Sequence, residues 1–320
     1  MPTKPKPEQT PNELGSGEQF VLSLETPAGL LHAAIAARGA SLREFRLGDI
    51  ELVEPYATES EAPHCAGQVM APWVNRLDHG RWTFGGKVLQ NPITLPEQDN
   101  ANHGLLLDYF YKAVESTASS VTLEAIIEPS AGYPFRVVTR VTYALVADGL
   151  VVTHRAENLA DVAAPYATGA HPYFKFSTVD TADLTIKLDA ATRTVTDARQ
   201  IPIGEEPAEL AGFDLRAGVR AGDQLIDNDF TDLARDENGL AHTFVFSADG
   251  RGLDIWQDHN FAHVVLFTPS FFESVDRGLT HAIAVEPSTS APNAFNSGKN
   301  LIWLEPGAVF EGHWGVRVVI

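Results

Sequence analysis

The feature that most constrains this chain is its patterning. From Phe20 onward, short runs of alternating apolar and polar residues recur between turn signals, and no long stripe of 3.6-residue period appears. The clearest runs are FVLSLE, SLREFRL, VTLEAII, FRVVTRVTY, LVVTHRAE, LTIKL, TFVFS, LDIW and HVVLFT. In FRVVTRVTY, Phe135, Val137, Val141 and Tyr143 fall on one face and Arg136 and Arg140 on the other, the period of two of a half-buried strand. Trp314, Val316 and Val318 alternate with Gly315, Arg317 and Val319 in the same way. Gly and Pro punctuate the chain throughout, and Phe84-Gly85-Gly86-Lys87 predicts a hairpin. The segment AENLADVAA predicts one short helix, ended by Pro165. Many short strands with few helices predict an all-β fold, a large antiparallel β-sandwich. No repeat or composition shift divides it. Residues 1–17, rich in Pro, Lys, Gln and Glu, predict a flexible N-terminal arm, and 18–320 a single domain.

Composition narrows the classes of function. Asp and Glu number 42 against 23 Lys and Arg, a net charge of −19. Such a chain matches neither phosphate backbones nor anionic membranes, so no nucleic-acid or membrane partner is expected. A single cysteine, Cys65, forms no intrachain disulfide and fits a reducing compartment. No apolar run approaches the roughly 18 residues of a spanning helix. The first residues lack the apolar segment of a secretory signal, and no N-x-[ST] sequon occurs. A cytoplasmic protein is expected. Dinucleotide, P-loop, H-E-x-x-H and C-x-x-C motifs are absent. Asp227-Asn228-Asp229 opens like a calcium loop, but Asp232 and Asn238 stand where Gly and Glu are required. His259 and His263 flank a strand start, where four residues span roughly 13 Å. That is too far for one ion, so the segment reads as a polar loop entering a strand, and no metal is expected.

Four segments place polar residues at strand ends or turns in a way that a core does not need. They are residues 71–87 with Asn75-Arg76, 102–111 with His103-Gly104, 169–176 with His171-Pro172, and 282–298 with Glu286-Pro287. Taken singly, a surface arginine and hydrogen-bonding histidines are the simpler readings. Glu286 stands out among the acids. It ends an apolar strand, where a carboxylate is costly unless paired or used.

In this order the segments resemble the aldose 1-epimerase (galactose mutarotase) family. The resemblance runs from about Phe20 to the C-terminus. It rests on Asn75-Arg76 before the glycine hairpin, Asn102-His103-Gly104, His171-Pro172-Tyr173-Phe174 and Ile226-Asp227-Asn228-Asp229-Phe230. Gly250-Arg251-x-Leu253, Val285-Glu286-Pro287, Asn293-Ala294-Phe295 and the closing Leu304-Glu305-Pro306-Gly307 add to it. It implies a large β-sandwich, Glu286 as catalytic base and His171 as catalytic acid. It also implies a small-molecule sugar held by Arg76, His103, Asp227 and the adjoining Asn75, with no cofactor. Acid and base are expected on opposite sides of the sugar, with His171 protonated by its acidic surroundings. Trp73, Trp82, Tyr173, Trp256 and Phe295 are candidate sugar walls. WQDHNFAHVVLFTPS departs from the family's Thr-x-x-Pro-Gly form and leaves the preferred sugar open. Two alternatives remain: a hexose-phosphate mutarotase using Arg81 and Lys87 beside Arg76, and a non-catalytic sugar-binding protein. The oligomeric state is not legible.

Overall fold

The alternation becomes two large sheets in the computed structural model of the protein, which describes residues 15–210 and 212–320. The first sheet has nine strands. Across it run Lys112–Ser116, Ser120–Ile127, Val137–Val146, Gly149–Asn158, Val309–Val319, Gly252–Gln257, Ala241–Phe246, Thr185–Leu188 and Val219–Arg220. The second sheet has eight. Its path is Pro202–Pro207, Ala190–Thr196, Asp227–Leu233, His263–Phe267, Ile283–Ser288, Gly169–Ala170 and Val69–Met70, with Tyr173–Phe174 also pairing with Ile283–Ser288. The main ladders of both sheets are antiparallel. A four-stranded meander, from Gln19–Thr26 to Ile50–Glu51, completes the larger elements. The all-β reading of the sequence therefore holds.

Period-two sorting explains how the sheets pack. Val137, Val141 and Tyr143 are fully buried, while Arg140 on the other face pairs with Glu124 directly across the ladder. These side chains share one core with Trp314 and with Phe230, Val264, Leu266, Ile283 and Val285 of the second sheet. Burial at about 25 cal/mol per Å² of apolar surface makes this core the main source of stability. The same alternation turns Ala284, Glu286 and Ser288 to the opposite face of their strand. Glu286 thus follows an apolar run without pointing into the apolar core.

The hairpin at Phe84-Gly85-Gly86-Lys87 forms as expected, with Phe84 paired to Lys87 and positive φ at both glycines, as a two-residue turn of type I′ needs. Most of the expected arm lies outside the described residues. At its end Ser16 is buried, and both its N–H and its hydroxyl donate to the Thr58 carbonyl. The expected helix at AENLADVAA does not form. The strand Gly149–Asn158 runs through its start and Ala164–Tyr166 begins another strand at its end. Between them Asn158 bends the chain: its Oδ1 accepts from the Ala160 N–H at 2.9 Å, and its Nδ2 donates to the carbonyls of Val162 at 2.8 Å and Leu304 at 2.7 Å. Local side-chain bonds of this kind compete with helix formation. Because Asn158 is fully buried, Asn158→Ala leaves these backbone groups without partners. The expected loss is about 2–4 kcal/mol in urea unfolding, and a loss well under about 1 kcal/mol would show that the turn does not depend on the side chain.

Candidate functional site

Strand register assembles the floor of the site. Asp227 lies opposite Phe267, Phe267 opposite Ala284, and Ala284 opposite Tyr173, giving one row across four strands. The next row is Asp229, Val265 and Glu286. Directly opposed residues share a face, and residues two apart on a strand share it too. Asp227, Phe267, Tyr173 and Glu286 therefore all face one pocket. His171 lies in the short break between Gly169–Ala170 and Tyr173–Phe174, anchored by its own N–H to the Gln68 carbonyl and by its carbonyl to the Gly67 N–H. Its Nε2 is 3.3 Å from Glu286 Oε1.

Two further segments close the pocket from the side. Arg76–Asp78 pairs with Asn100–Asn102, Arg76 directly opposite Asn102. Asn75 and His103 then clasp each other: the His103 N–H donates to the Asn75 carbonyl, and the Asn75 N–H donates to His103 Nδ1 at 3.2 Å. His103 takes a positive φ and so does Gly104. A Cβ at Gly104 would lie 2.0 Å from the Ala71 carbonyl oxygen, so glycine is required there. Asn75 Oδ1 accepts from the Arg76 N–H at 2.9 Å and from its guanidinium at 3.1 Å, and Arg76 Nε donates to Gln98 Oε1 at 2.6 Å. Asn75 thus aims Arg76.

All six residues singled out in the sequence, Asn75, Arg76, His103, His171, Asp227 and Glu286, line this one pocket of about 300 Å³. Of the aromatic wall candidates, Tyr173 lines it and the others do not. Trp82 is buried with its Nε1 bonded to the Gly132 carbonyl and packs on Phe295, while Trp256 belongs to the nine-stranded sheet. Trp73 borders a neighbouring cavity. The walls are instead Phe267 and Phe271, joined by Gln98, Glu97 and His64. Phe267 was hidden because nothing in the sequence states which strand lies beside Asp227. Arg81 and Lys87 sit exposed on the hairpin, and Arg76 is the pocket's single Lys or Arg among the described residues.

Burial dominates the electrostatics. It lowers His171 to about 4, with His64 and Arg76 adding to the effect and a backbone hydrogen bond opposing it. The expectation that acidic surroundings would keep His171 protonated is corrected: desolvation outweighs them. Burial raises Glu286 well above the carboxylate range, the nearby Asp227 adds to this, and Arg76 opposes it. Burial likewise lowers His103 well below its ordinary value. The expected separation of acid and base is also corrected, since His171 and Glu286 touch. A touching pair in which each charge is disfavoured holds one proton between its members. Glu286 Oε2 and His171 Nδ1 are buried without a hydrogen-bond partner among the described residues.

His103, His171 and Glu286 bring their ligating atoms within 4.8 Å of one another, which raises the question of a metal. The donor set does not fit one. Neutral His103 accepts the Asn75 N–H at Nδ1, so its proton stays on Nε2. Coordination through Nε2 would place two donors face to face. His263, from the other histidine pair, is fully buried beside Asp229 at 3.1 Å, and its Nε2 donates to Asn300 Oδ1 at 3.0 Å. It begins the strand, as the sequence predicted, but its partner is Asp229 and not His259.

The chain thus folds as a two-sheet sandwich with a buried His–Glu pair on the floor of a polar, aromatic-edged pocket. The sequence model of the aldose 1-epimerase family matches residues 21–317, and the chain belongs to that family. It is 32% identical over 284 residues to the uncharacterized protein YihR of Escherichia coli (strain K12), covering 88% of each chain. To human galactose mutarotase it is 25% identical over 296 residues, 85% of this chain and 84% of that one. The fold is also that of a GalM/aldose epimerase homologue from C. elegans (TM-score 0.81, 19% identity, covering 95% of this chain and 100% of the other). No helix among the described residues is long and apolar enough to cross a membrane.

The raised Glu286 has a consequence for stability. Its native state holds the proton more tightly than the unfolded chain, so stability is lost as pH rises from the ordinary carboxylate range through the elevated native value. Glu286→Gln removes that loss. Its melting temperature is expected to exceed the wild type's at about pH 9 and to converge on it near about pH 4. A constant offset between the two curves would place no titrating proton at Glu286.

Proposed function

We propose that the protein interconverts the α and β anomers of a free aldose by acid–base ring opening and closure. The observation that carries this reading is the His171–Glu286 contact, one shared proton between a base and an acid, on the floor of a pocket with Arg76, His103 and Asp227 around it. Productive catalysis uses the pair as carboxylate and imidazolium. Glu286 accepts the proton of the anomeric hydroxyl while His171 delivers one to the ring oxygen, and the C1–O5 bond breaks to give the open aldehyde. Rotation about C1–C2 turns the other carbonyl face to the hydroxyl. Closure then returns one proton from Glu286 to O1 and one from O5 to His171. Arg76, aimed by Asn75 and Gln98, stabilises the carboxylate form of Glu286 once sugar excludes water. His103 offers an Nε2–H donor to a sugar oxygen, and Asp227 an acceptor. Phe267, Phe271 and Tyr173 supply the apolar surface that a pyranose face requires. Neither metal nor redox chemistry enters these steps.

The free-sugar reading is favoured over a phosphorylated one because the cations expected for the phosphate lie on an exposed hairpin outside the pocket. Proton transfer, rather than binding alone, is favoured because an unused buried carboxylate against a buried imidazole is costly. A small-molecule sugar substrate is the expectation from the family resemblance, and a cytoplasmic address the expectation from composition.

Polarimetry on freshly dissolved α-glucose and α-galactose, beside their 6-phosphates, tests this directly. Glu286→Gln is expected to abolish acceleration, and His171→Asn to lower kcat by roughly 10²-fold or more with little change in sugar affinity. Retention of near-wild-type rate by the first variant would remove the base from the mechanism. Activity is expected to fall at acid pH as the pair gains a second proton and at alkaline pH as it loses its only one. Exhaustive chelation should leave the rate unchanged, and a loss restored by a divalent ion would overturn the assignment of His103 as a proton-bearing donor.

A further inference from the structure

The turn at 197–200 has no task in the ring-opening chemistry, yet it is bonded to residues on both sides of the pocket. It joins Ala190–Thr196 to Pro202–Pro207 at the edge of the eight-stranded sheet. Asp197 builds the turn. Its Oδ1 accepts from the Arg199 N–H at 2.8 Å and the Ile201 N–H at 3.0 Å, and its own N–H donates to the Ile201 carbonyl at 2.9 Å. Bonds of this kind from an aspartate fix the shape of a turn. From it Arg199 extends over the two-stranded ribbon that carries Arg76. Its Nη2 donates to Asp78 and, at 3.0 Å, to Asn100 Oδ1, residues directly opposed on the two strands. Its Nη1 donates to His79 Nε2 at 2.6 Å and its Nε to the Gln98 carbonyl at 3.3 Å. A guanidinium only donates, so His79 accepts at Nε2 and gives its Nδ1–H to Asp99. In return Asn100 Nδ2 donates to the Arg199 carbonyl at 2.9 Å. The next residue, Gln200, reaches the other side: it holds a φ of 62°, and its Nε2 donates to Asp227 Oδ2 at 3.4 Å.

We infer that Arg199 is a positioning residue that sets the place of the Arg76 guanidinium in the pocket. The inference rests on the mutarotase reading, in which Arg76 favours the carboxylate form of Glu286. Two routes lead from Arg199 to Arg76. Asp78 lies two residues along the same strand and so shares a face with Arg76. Gln98, held by its carbonyl, accepts from Arg76 Nε at 2.6 Å. Such support is needed, because Arg76–Asp78 and Asn100–Asn102 form a sheet of two strands, and a two-stranded ribbon is marginal by itself. The planar five-donor fork of arginine suits the task. One group meets acceptors on both strands and on the segment leading into the second, a geometry that the compact ammonium of lysine cannot reproduce. An exposed ion pair would carry little weight, but the Arg199 side chain is 31% exposed and its bond to Asp78 is one of four. Rate is more sensitive to placement than stability is, since a misplacement of about 1 Å can cost roughly 10²-fold. Through Gln200 the same turn is tied to Asp227, so the ribbon and the sheet floor are held relative to each other by one short segment.

Initial mutarotation rates of glucose and galactose with Arg199→Ala, Arg76→Ala and the double variant, measured beside their melting temperatures, test this. Arg199→Ala is expected to lower kcat about tenfold or more while KM changes less than about threefold. The double variant is expected to lose no more than Arg76→Ala alone, because a residue that acts through another is not additive with it. The acid limb of the kcat profile of Arg199→Ala is expected to move to higher pH. Glu286 is faced by His171, Asp227, Asp229 and Arg76. With Arg76 loosened, the push of the two aspartates toward the protonated carboxyl loses its opposing cation. Arg199→Lys keeps the charge without the fork and serves where the alanine variant does not fold. It is expected to show a smaller loss of the same kind. A folded Arg199→Ala, or failing that Arg199→Lys, with wild-type kcat and an unmoved acid limb would overturn the inference and leave the mutarotase reading standing. Losses that multiply with those of Arg76→Ala would overturn it in the same way. A wild-type protein that accelerates neither sugar would defeat the mutarotase reading itself, and this inference with it.

Discussion

The contact between Glu286 and His171 is the constraint around which the rest of the site is arranged. A carboxylate and an imidazole excluded from water each disfavour their charged forms, and the cost is tolerable only if they share a proton and their remaining atoms meet a ligand. Holding them 3.3 Å apart demands a rigid support. That support is the register of Ile283–Ser288 between His263–Phe267 on one side and the Gly169–Phe174 region on the other. A one-residue slip of this strand would exchange its faces, driving Glu286 into the apolar core and Val285 into the pocket. The core contacts of Ile283 and Val285 oppose such a slip. Packing on one face of the strand therefore fixes the chemistry on the other.

The balance of forces at His171 also shows why net charge is a poor guide to a buried group. Nineteen excess negative charges suggest a field that favours imidazolium. Most of those carboxylates are at the surface, where screening acts over roughly 8–10 Å at physiological salt. Desolvation acts on the ring itself, and it wins. The nearest acid, Glu286, is shifted by the same burial toward its neutral form. A ligand that supplies hydrogen bonds to the carboxylate shifts the pair toward carboxylate and imidazolium, so in the proposed mechanism substrate binding itself brings the reactive protonation state into use.

The fold was legible because period-two alternation is a local signal. Phe135, Val137, Val141 and Tyr143 declare their face from their own spacing, as do Phe84-Gly85-Gly86-Lys87 their turn. The short helix expected at AENLADVAA failed because its fate depends on Leu304, distant in sequence, whose carbonyl takes a hydrogen bond from Asn158. The six polar site residues were legible through a family resemblance, and the structure gathers them in one pocket. Their protonation was not legible, since burial depends on the packed environment. Of the aromatic walls, only Tyr173 was legible. Trp73, Trp82, Trp256 and Phe295 are chemically as suitable as Phe267 and Phe271, and only cross-strand register and loop placement separate wall from core.

This division of labour bears on how specificity is set. The proton pair and Asp227 stand on or beside central strands of the eight-stranded sheet, whose positions are fixed by neighbours on both sides. His64, Gln98 and Phe271 lie on connections outside those ladders, where the chain is less constrained by pairing. His64 and Cys65, which line both the pocket and the neighbouring cavity, carry consecutive positive φ values, a conformation disfavoured for side-chain-bearing residues. Changes in such connections can reshape the cavity and leave the Glu286 register untouched. In the proposed mechanism the proton chemistry is thus tied to the sheet, while the shape of the accepted ligand is set mainly by the loops around it.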